Sequence, residues 1–379
     1  VKRTEPARGS TAKKRYGFLD HYRGWAVLVM IETHAMGAWL MDTVRENRWY
    51  SILKTLHGFV APSFLFIAGV SFAIVVQKKF DVLHKPTLDF WRQFRKIGWI
   101  WILGYLLHFP PVQFRGWIPR IWWPDLTGFY RVDILQTIAA SLMTLLFLCL
   151  ICRTRKQFLF AAFGLAVAAL LITPILWQTD FSTFLHPALA NYLNGRNNFL
   201  FPLFPWCIFL WAGAVTGGYF FSAAAPDEEL RTITKILACG VLLFAAGYFG
   251  RSSQIIPYSN FWTDSPQWVL MRLGIVLAIL WFFWFLETRG GKGLPFLILL
   301  GTESLFVYVV HLVMVFGITG KDARFPLLGY RAYGLGMTYL MYAILLFAVY
   351  LLTLLWKRLH ARWRKRSSHR ATAPASLNT

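Results

Sequence analysis

Asp20, Arg23, Glu32 and His34 lie within fifteen positions of a stretch made mostly of Leu, Val, Met, Ala and Trp. A carboxylate, a guanidinium and an imidazole are the groups that move protons and stabilise developing charge. An imidazole, with an ordinary pKa of about 6.5, does so near neutral pH. In an apolar segment such residues are costly, since one charge at the centre of a bilayer carries a penalty starting at about 2.5–3.5 kcal/mol. A stretch serving only as an anchor has no reason to keep them, so they mark a working site facing the interior of a helix bundle. At 100° per residue Arg23 falls about 60° from Asp20 and His34 about 40° from it, so the three share one stripe. Glu32, about 120° away, must meet a different neighbour. The rise from Asp20 to His34 is about 21 Å, which puts the Asp20–Arg23 pair at one membrane edge and His34 in the far third of the core.

A second polar set sits in Gly301-Thr302-Glu303-Ser304-Leu305-Phe306-Val307-Tyr308-Val309-Val310-His311. Read as one continuous helix over 294–317, it places Ser304, Tyr308 and His311 within about 60° of each other, with His311 about 25 Å from Leu294. That depth is close to the depth of His34. His57, at the entrance of the second apolar run, and His108, near the end of the third, fall at the same level. Plainer alternatives stand beside these. His57 could face water, His108 could make an interhelical hydrogen bond worth about 0.6 kcal/mol, and Asp20–Arg23 could be a structural ion pair. In Phe90-Trp91-Arg92-Gln93-Phe94-Arg95-Lys96 three cations stand beside aromatics. They are either ordinary positive anchoring or a clamp for a phosphorylated ligand, with arginine giving bidentate contacts. No Walker loop and no strand-linked GxGxxG occurs, so nucleotide hydrolysis and dinucleotide redox chemistry have no support. Cys149, Cys152, Cys207 and Cys239 lie in apolar runs with no zinc-ribbon or disulfide spacing, and no metal is expected.

The elements that position these groups are transmembrane helices. Of 379 residues, 57% are hydrophobic and 15% charged, against about 25% charged in soluble domains. A span needs about 20 apolar residues, and this template gives an all-α polytopic transmembrane bundle of about ten spans. They run over roughly 21–41, 58–76, 96–112, 133–152, 158–176, 201–221, 233–250, 267–287, 294–317 and 335–356, the third cut short by Pro110-Pro111. With both termini cytoplasmic, 26 of the 39 Lys and Arg fall on the inner side and 11 on the outer, Arg23 and Arg272 lying within spans. That is the inside-positive bias, and it accounts for the net charge of +22 without nucleic acid. The domain reading is a basic tail over 1–19, a transmembrane catalytic domain over 20–356, and a basic, then disordered, tail over 357–379. The first span reads as a retained helix rather than a cleaved signal. The segment from Phe114 to Pro124, rich in Trp, Arg and Pro, suits headgroup depth on the outer side. No heptads, short repeats or strand alternation are visible. The expected location is the bacterial cytoplasmic (inner) membrane.

Leu19-Asp20-x-x-Arg23-Gly24 with Met30 and His34 resembles the opening helix of the heparan-α-glucosaminide N-acetyltransferase-like family, related to the acyltransferase-3 membrane enzymes. The likeness continues in order through Ala61-Pro62-Ser63-Phe64-Leu65-Phe66-Ile67-Ala68-Gly69 and Arg131-Val132-Asp133-Ile134-Leu135-Gln136-Thr137-Ile138-Ala139. Phe201-Pro202-Leu203-Phe204-Pro205-Trp206 with Gly213 and Gly217-Gly218, and then Gly301 to His311, complete it. The resemblance implies transfer of an acyl group, acetyl from acetyl-CoA, to a sugar amine or hydroxyl at the outer side. His34 then stands as base or transient acyl carrier, with Asp20 and Arg23 as its entrance pair. His311 and Tyr308 orient the acceptor or stabilise the oxyanion, while Arg92, Arg95 and Lys96 hold the CoA phosphates. Animal lysosomal members carry their proposed catalytic histidine in the first outer loop, whereas this chain has none between Met36 and Leu56. His34 and His57 therefore stay open as the equivalent group.

The competing class is a proton-coupled transporter or flippase, since intramembrane acids and imidazoles also mark proton relays. Against it, no inverted-repeat symmetry of broken helices is visible, and the polar groups cluster towards the two ends of the chain. The expected partners are an acyl-CoA donor, a carbohydrate acceptor and the lipid bilayer. Homodimerisation is left open.

Overall fold

A computed structural model describes residues 16–109, 112–115, 118–121, 128–196, 201–223, 225–253, 256–290, 293–317 and 328–372. The order of elements begins with α1 (Gly17–Trp39), α2 (Asp42–Arg45), α3 (Arg48–His57), α4 (Val60–Leu83) and α5 (Leu88–Leu106). A small antiparallel pair follows, β1 (Val112–Arg115) and β2 (Ile118–Ile121). Then come α6 (Ile134–Ile151), α7 (Arg155–Gln178), α8 (Pro187–Leu193), α9 (Leu203–Phe220), α10 (Pro226–Phe249), α11 (Pro266–Thr288), α12 (Pro295–Thr302), α13 (Ser304–Phe316) and α14 (Leu335–Thr372). Helix starts follow local chemistry. Asp133 and Gln136 form a reciprocal capping box at α6, as do Thr154 and Gln157 at α7, each satisfying backbone N–H groups that a helix start leaves open. Ser265 caps α11 ahead of Pro266.

Among the described residues seven helices are long and apolar enough to cross a membrane, and α12 with α13 makes an eighth if the bent pair counts as one span. α1 and α5, of 23 and 19 residues, have spanning length but carry the charged residues singled out above. Each of the ten expected spans thus has a helical counterpart in an all-α polytopic bundle. Four differences from the sequence expectation matter. First, α5 starts at Leu88, so Arg92, Arg95 and Lys96 ride on its first turns and not in a preceding loop; Thr87 sets that start by accepting from the Phe90 N–H. Second, residues 112–115 and 118–121 pair as two antiparallel strands, Val112 opposite Ile121 and Arg115 opposite Ile118, although no alternation marks them. Third, the 294–317 segment is not one helix, because it turns by 87° between α12 and α13. Fourth, the α14 backbone stays helical through Thr372, into the region read as a disordered tail; Pro374 is the first proline beyond it.

The break at Glu303 has a cause in packing. A Cβ at Gly24 would overlap the Leu297 carbonyl oxygen, and one at Gly301 would overlap the Asp20 carbonyl oxygen. α1 and α12 therefore cross with backbone against backbone, the small-residue contact that membrane helices use in place of a hydrophobic driving force. Fixed there, the chain leaves α12 with Glu303 at φ −106° and ψ 25° and turns into α13. A second crossing of the same type joins α4 and α9, where Gly69 faces the Leu210 carbonyl and Gly213 the Phe66 carbonyl. α1 sits at the centre, in contact with α3, α4, α11, α12, α13 and α14.

Candidate active site

A cavity of about 300 Å³ runs beside α1, bounded by α4, the start of α6 and α13. Arg23, Thr33 and His34 of α1 line it, and Arg23 and His34 are about 16 Å apart along the axis. Asp133, Ser304 and Tyr308 contribute polar atoms from α6 and α13, and His57 from the end of α3. Most of the remaining wall is apolar, including Ala61, Phe64 and Ile138.

His34 and His311, 277 positions apart, are in direct contact, with His34 Nδ1 2.8 Å from His311 Nε2. Their rings are stacked at 27° with centroids 5.0 Å apart, and Phe316 meets the His34 ring edge-on. His311 is fully buried, and its Nδ1 lies 2.8 Å from the Val307 carbonyl oxygen one turn earlier. A carbonyl oxygen can only accept, which fixes the neutral pair. His311 donates from Nδ1 to Val307 and accepts at Nε2, so His34 donates from Nδ1 and carries its own lone pair on Nε2. A nucleophile or base oriented by a second ring, itself oriented by a third group, follows the general logic of catalytic triads.

Behind this pair, Tyr308 Oη lies 3.5 Å from Asp133 Oδ2, and His108 Nε2 lies 3.5 Å from the same oxygen. His108 Nδ1 is 2.9 Å from the Gly104 carbonyl. Asp133 also caps α6, accepting from the Ile134 N–H at 2.8 Å, so one carboxylate joins the start of α6 to α13 and to His108 just beyond the end of α5. Asp133 and His108 are both buried. At the other end of the cavity Arg23 is 3.2 Å from Asp20 and donates to the Ser71 hydroxyl, which ties α1 to α4. Asp20 is buried and does not line the cavity.

The structure thus brings His34, His311 and Tyr308 together. It puts Asp20 and Arg23 beside each other at the opposite end. Arg92, Arg95 and Lys96 are exposed on α5 and none lines the cavity; Arg92 is 3.4 Å from Asp89. The continuous helix behind the 25 Å estimate for His311 does not exist. The bend delivers His311 to His34 by a shorter route. Glu32, expected to find a different neighbour from Asp20, meets His57 at 3.8 Å and accepts from Tyr339 at 3.1 Å. Asp133 enters the sequence reading only within the Arg131–Ala139 segment, with no role of its own, and Tyr339 does not enter it. The spacing Asp133-x-x-Gln136 ahead of an apolar run is a signal for a helix cap, but nothing local links Asp133 to Tyr308. Tyr339 had no signal at all.

A helical membrane bundle with an oriented imidazole at one end of an internal cavity and a guanidinium at the other has the parts of a membrane-embedded group-transfer enzyme. The chain belongs to the heparan-alpha-glucosaminide N-acetyltransferase family, whose catalytic-region model matches residues 15–259. The match spans α1 to α10, with Asp20, Arg23, His34, His57 and Asp133, and stops short of Ser304, Tyr308 and His311. Comparison with curated proteins gives no match.

Proposed function

We propose that this protein transfers an acetyl group from acetyl-CoA to an amine or hydroxyl of a sugar within the cavity beside α1. The observation that carries the reading is the oriented His34, whose Nε2 lone pair follows from the His311–Val307 chain of donors. In the first half, Nε2 attacks the thioester carbonyl carbon, and the C–S bond breaks with its electron pair on sulfur. The positive charge that develops on the acylated ring spreads through Nδ1–H to His311. The hydroxyls of Tyr308 and Ser304, which line the same cavity, are donors for the oxyanion. In the second half the acetyl group passes to the acceptor.

The donor fits in part. A volume of about 300 Å³ is at the lower end of the range for ligand pockets, about 300–1,000 Å³. With mostly apolar walls it suits the thioester arm laid along α1 from Arg23 towards His34, and it leaves the nucleotide outside. On the Arg23 side the exposed first turns of α5 offer Arg92, Arg95 and Lys96 to its phosphates. With both termini cytoplasmic, the Arg23 end faces the compartment that holds acetyl-CoA, and His34 faces the acceptor.

The test is exchange of label between free CoA and acetyl-CoA by the full chain in lipid nanodiscs, without acceptor. The wild type is expected to exchange and His34→Ala to lose exchange while still folding and inserting. Exchange at the wild-type rate in His34→Ala overturns the role of His34. A wild type with no acetyl-CoA chemistry favours a transporter.

A further inference from the structure

His57 is a second imidazole on the same cavity, and the step just described does not use it. Its side chain is 6% exposed, and its Nε2 is buried without a hydrogen-bond partner. Glu32 Oε2 stands 3.8 Å from that nitrogen. This is an ion-pair distance rather than a hydrogen bond, and catalytic contacts are often long until a ligand arrives. The Glu32 carboxylate is itself held, since its Oε1 accepts from Tyr339 of α14 at 3.1 Å. The corner bearing His57 is pinned as well. Arg272 of α11 donates to the Gly58 carbonyl next in the chain, with its guanidinium 4.5 Å from the Trp268 ring and 5.6 Å from the Phe59 ring. Three helices thus fix at a cavity wall an imidazole whose Nε2 has no hydrogen-bond partner among the described residues. An acid facing Nε2 favours the proton on that nitrogen and leaves the lone pair on Nδ1, the arrangement of an oriented general base.

We propose that His57, positioned by Glu32, is the base that takes the proton of the acceptor. The proposal rests on the acyl-transfer reading above and assigns its second half. The acceptor oxygen or nitrogen forms a bond to the acetyl carbon carried by His34, and the C–Nε2 bond breaks with its electron pair returning to His34. The acceptor proton passes to His57 Nδ1 and then to water, where it balances the thiolate released in the first half. Two imidazoles divide the work: His34 carries the acyl group and His57 accepts the proton.

The experiment separates the halves in full-length protein in nanodiscs. The first half is read as label exchange between CoA and acetyl-CoA, the second as acetyl loss from acetyl-CoA to water and to added glucosamine. His57→Gln is expected to keep exchange within about 3-fold and to lower acetyl loss to both acceptors by about 10²-fold, within the usual range for a general base. Glu32→Gln is expected to lower the second rate about 10-fold with the KM for acetyl-CoA unchanged, and Glu32→Asp to recover part of it. A structural role for Glu32 would instead depress both halves and would not be rescued by aspartate. Equal loss of exchange and acetyl loss in His57→Gln overturns the proposal, as does unchanged acetyl loss. A wild type that exchanges but passes acetyl to neither acceptor also overturns it, because a base on this cavity would activate water. Failure of exchange in the wild type strikes the acyl-transfer reading instead.

Discussion

Two histidines line one cavity, and they are held in different ways. His34 leans on a second neutral ring and, through it, on a backbone carbonyl, all within hydrogen-bond distance and closed off by α13. His57 faces a carboxylate across a gap of 3.8 Å, in a corner assembled from α1, α11 and α14. The first arrangement fixes a tautomer without placing a formal charge beside the ring, which suits a group that must become cationic only transiently. The second sets a fixed negative charge beside an imidazole, which suits a group that must gain and release a proton. Preorganisation of this kind is where much of the catalytic power of enzymes lies.

The contrast can be broken at several points. His311→Phe removes the acceptor for His34 Nδ1–H and is expected to lower CoA exchange by about 10²-fold. His311→Gln, whose amide oxygen can still accept, should keep more, and an unchanged rate in the phenylalanine variant would remove the relay from the mechanism. Gly301→Ala forces a methyl group against the Asp20 carbonyl. It is expected to cost about 1–3 kcal/mol, the usual range for overpacking, and to be read as a lower thermal midpoint in nanodiscs together with weakened exchange, since α13 is aimed from that crossing. Tyr308→Phe removes one of the two hydroxyls offered to the oxyanion and leaves Ser304 on the same cavity, so a fall in exchange of about 10-fold is expected, below the range for losing a sole donor. The smallest effect belongs to Arg92→Ala, Arg95→Ala and Lys96→Ala together. They are expected to raise the KM for acetyl-CoA a few-fold with kcat intact, as for screened surface cations. An unchanged KM would detach the basic face of α5 from the donor.

Much of this was legible because it depends on cost. Charges and imidazoles in apolar runs stand out against their background, and helical angles placed Asp20, Arg23 and His34 on one stripe and Glu32 on another. Arg23 and His34 line the cavity, Asp20 sits beside Arg23 outside it, and Glu32 faces His57. What escaped was whatever depends on a distant contact. The 87° turn at Glu303 is set by Gly24 and Gly301 meeting across 277 positions of chain, and nothing local in Leu300-Gly301-Thr302-Glu303 requires it. Tyr339 looks like any aromatic on an apolar helix until α14 is packed beside α1. The strand pair β1–β2 was hidden because four-residue strands carry too little pattern to read.

The turn between α12 and α13 also decides how little of the polypeptide can suffice. Residues 15–259, which define kinship, hold only one ring of the His34–His311 pair. The other arrives on a 13-residue helix that is steered into place by a crossing near the opposite end of α1. A fragment trimmed to that span would keep His34 and lose the ring that orients it. The smallest unit that keeps this pair intact therefore has to reach at least Phe316, well past residue 259.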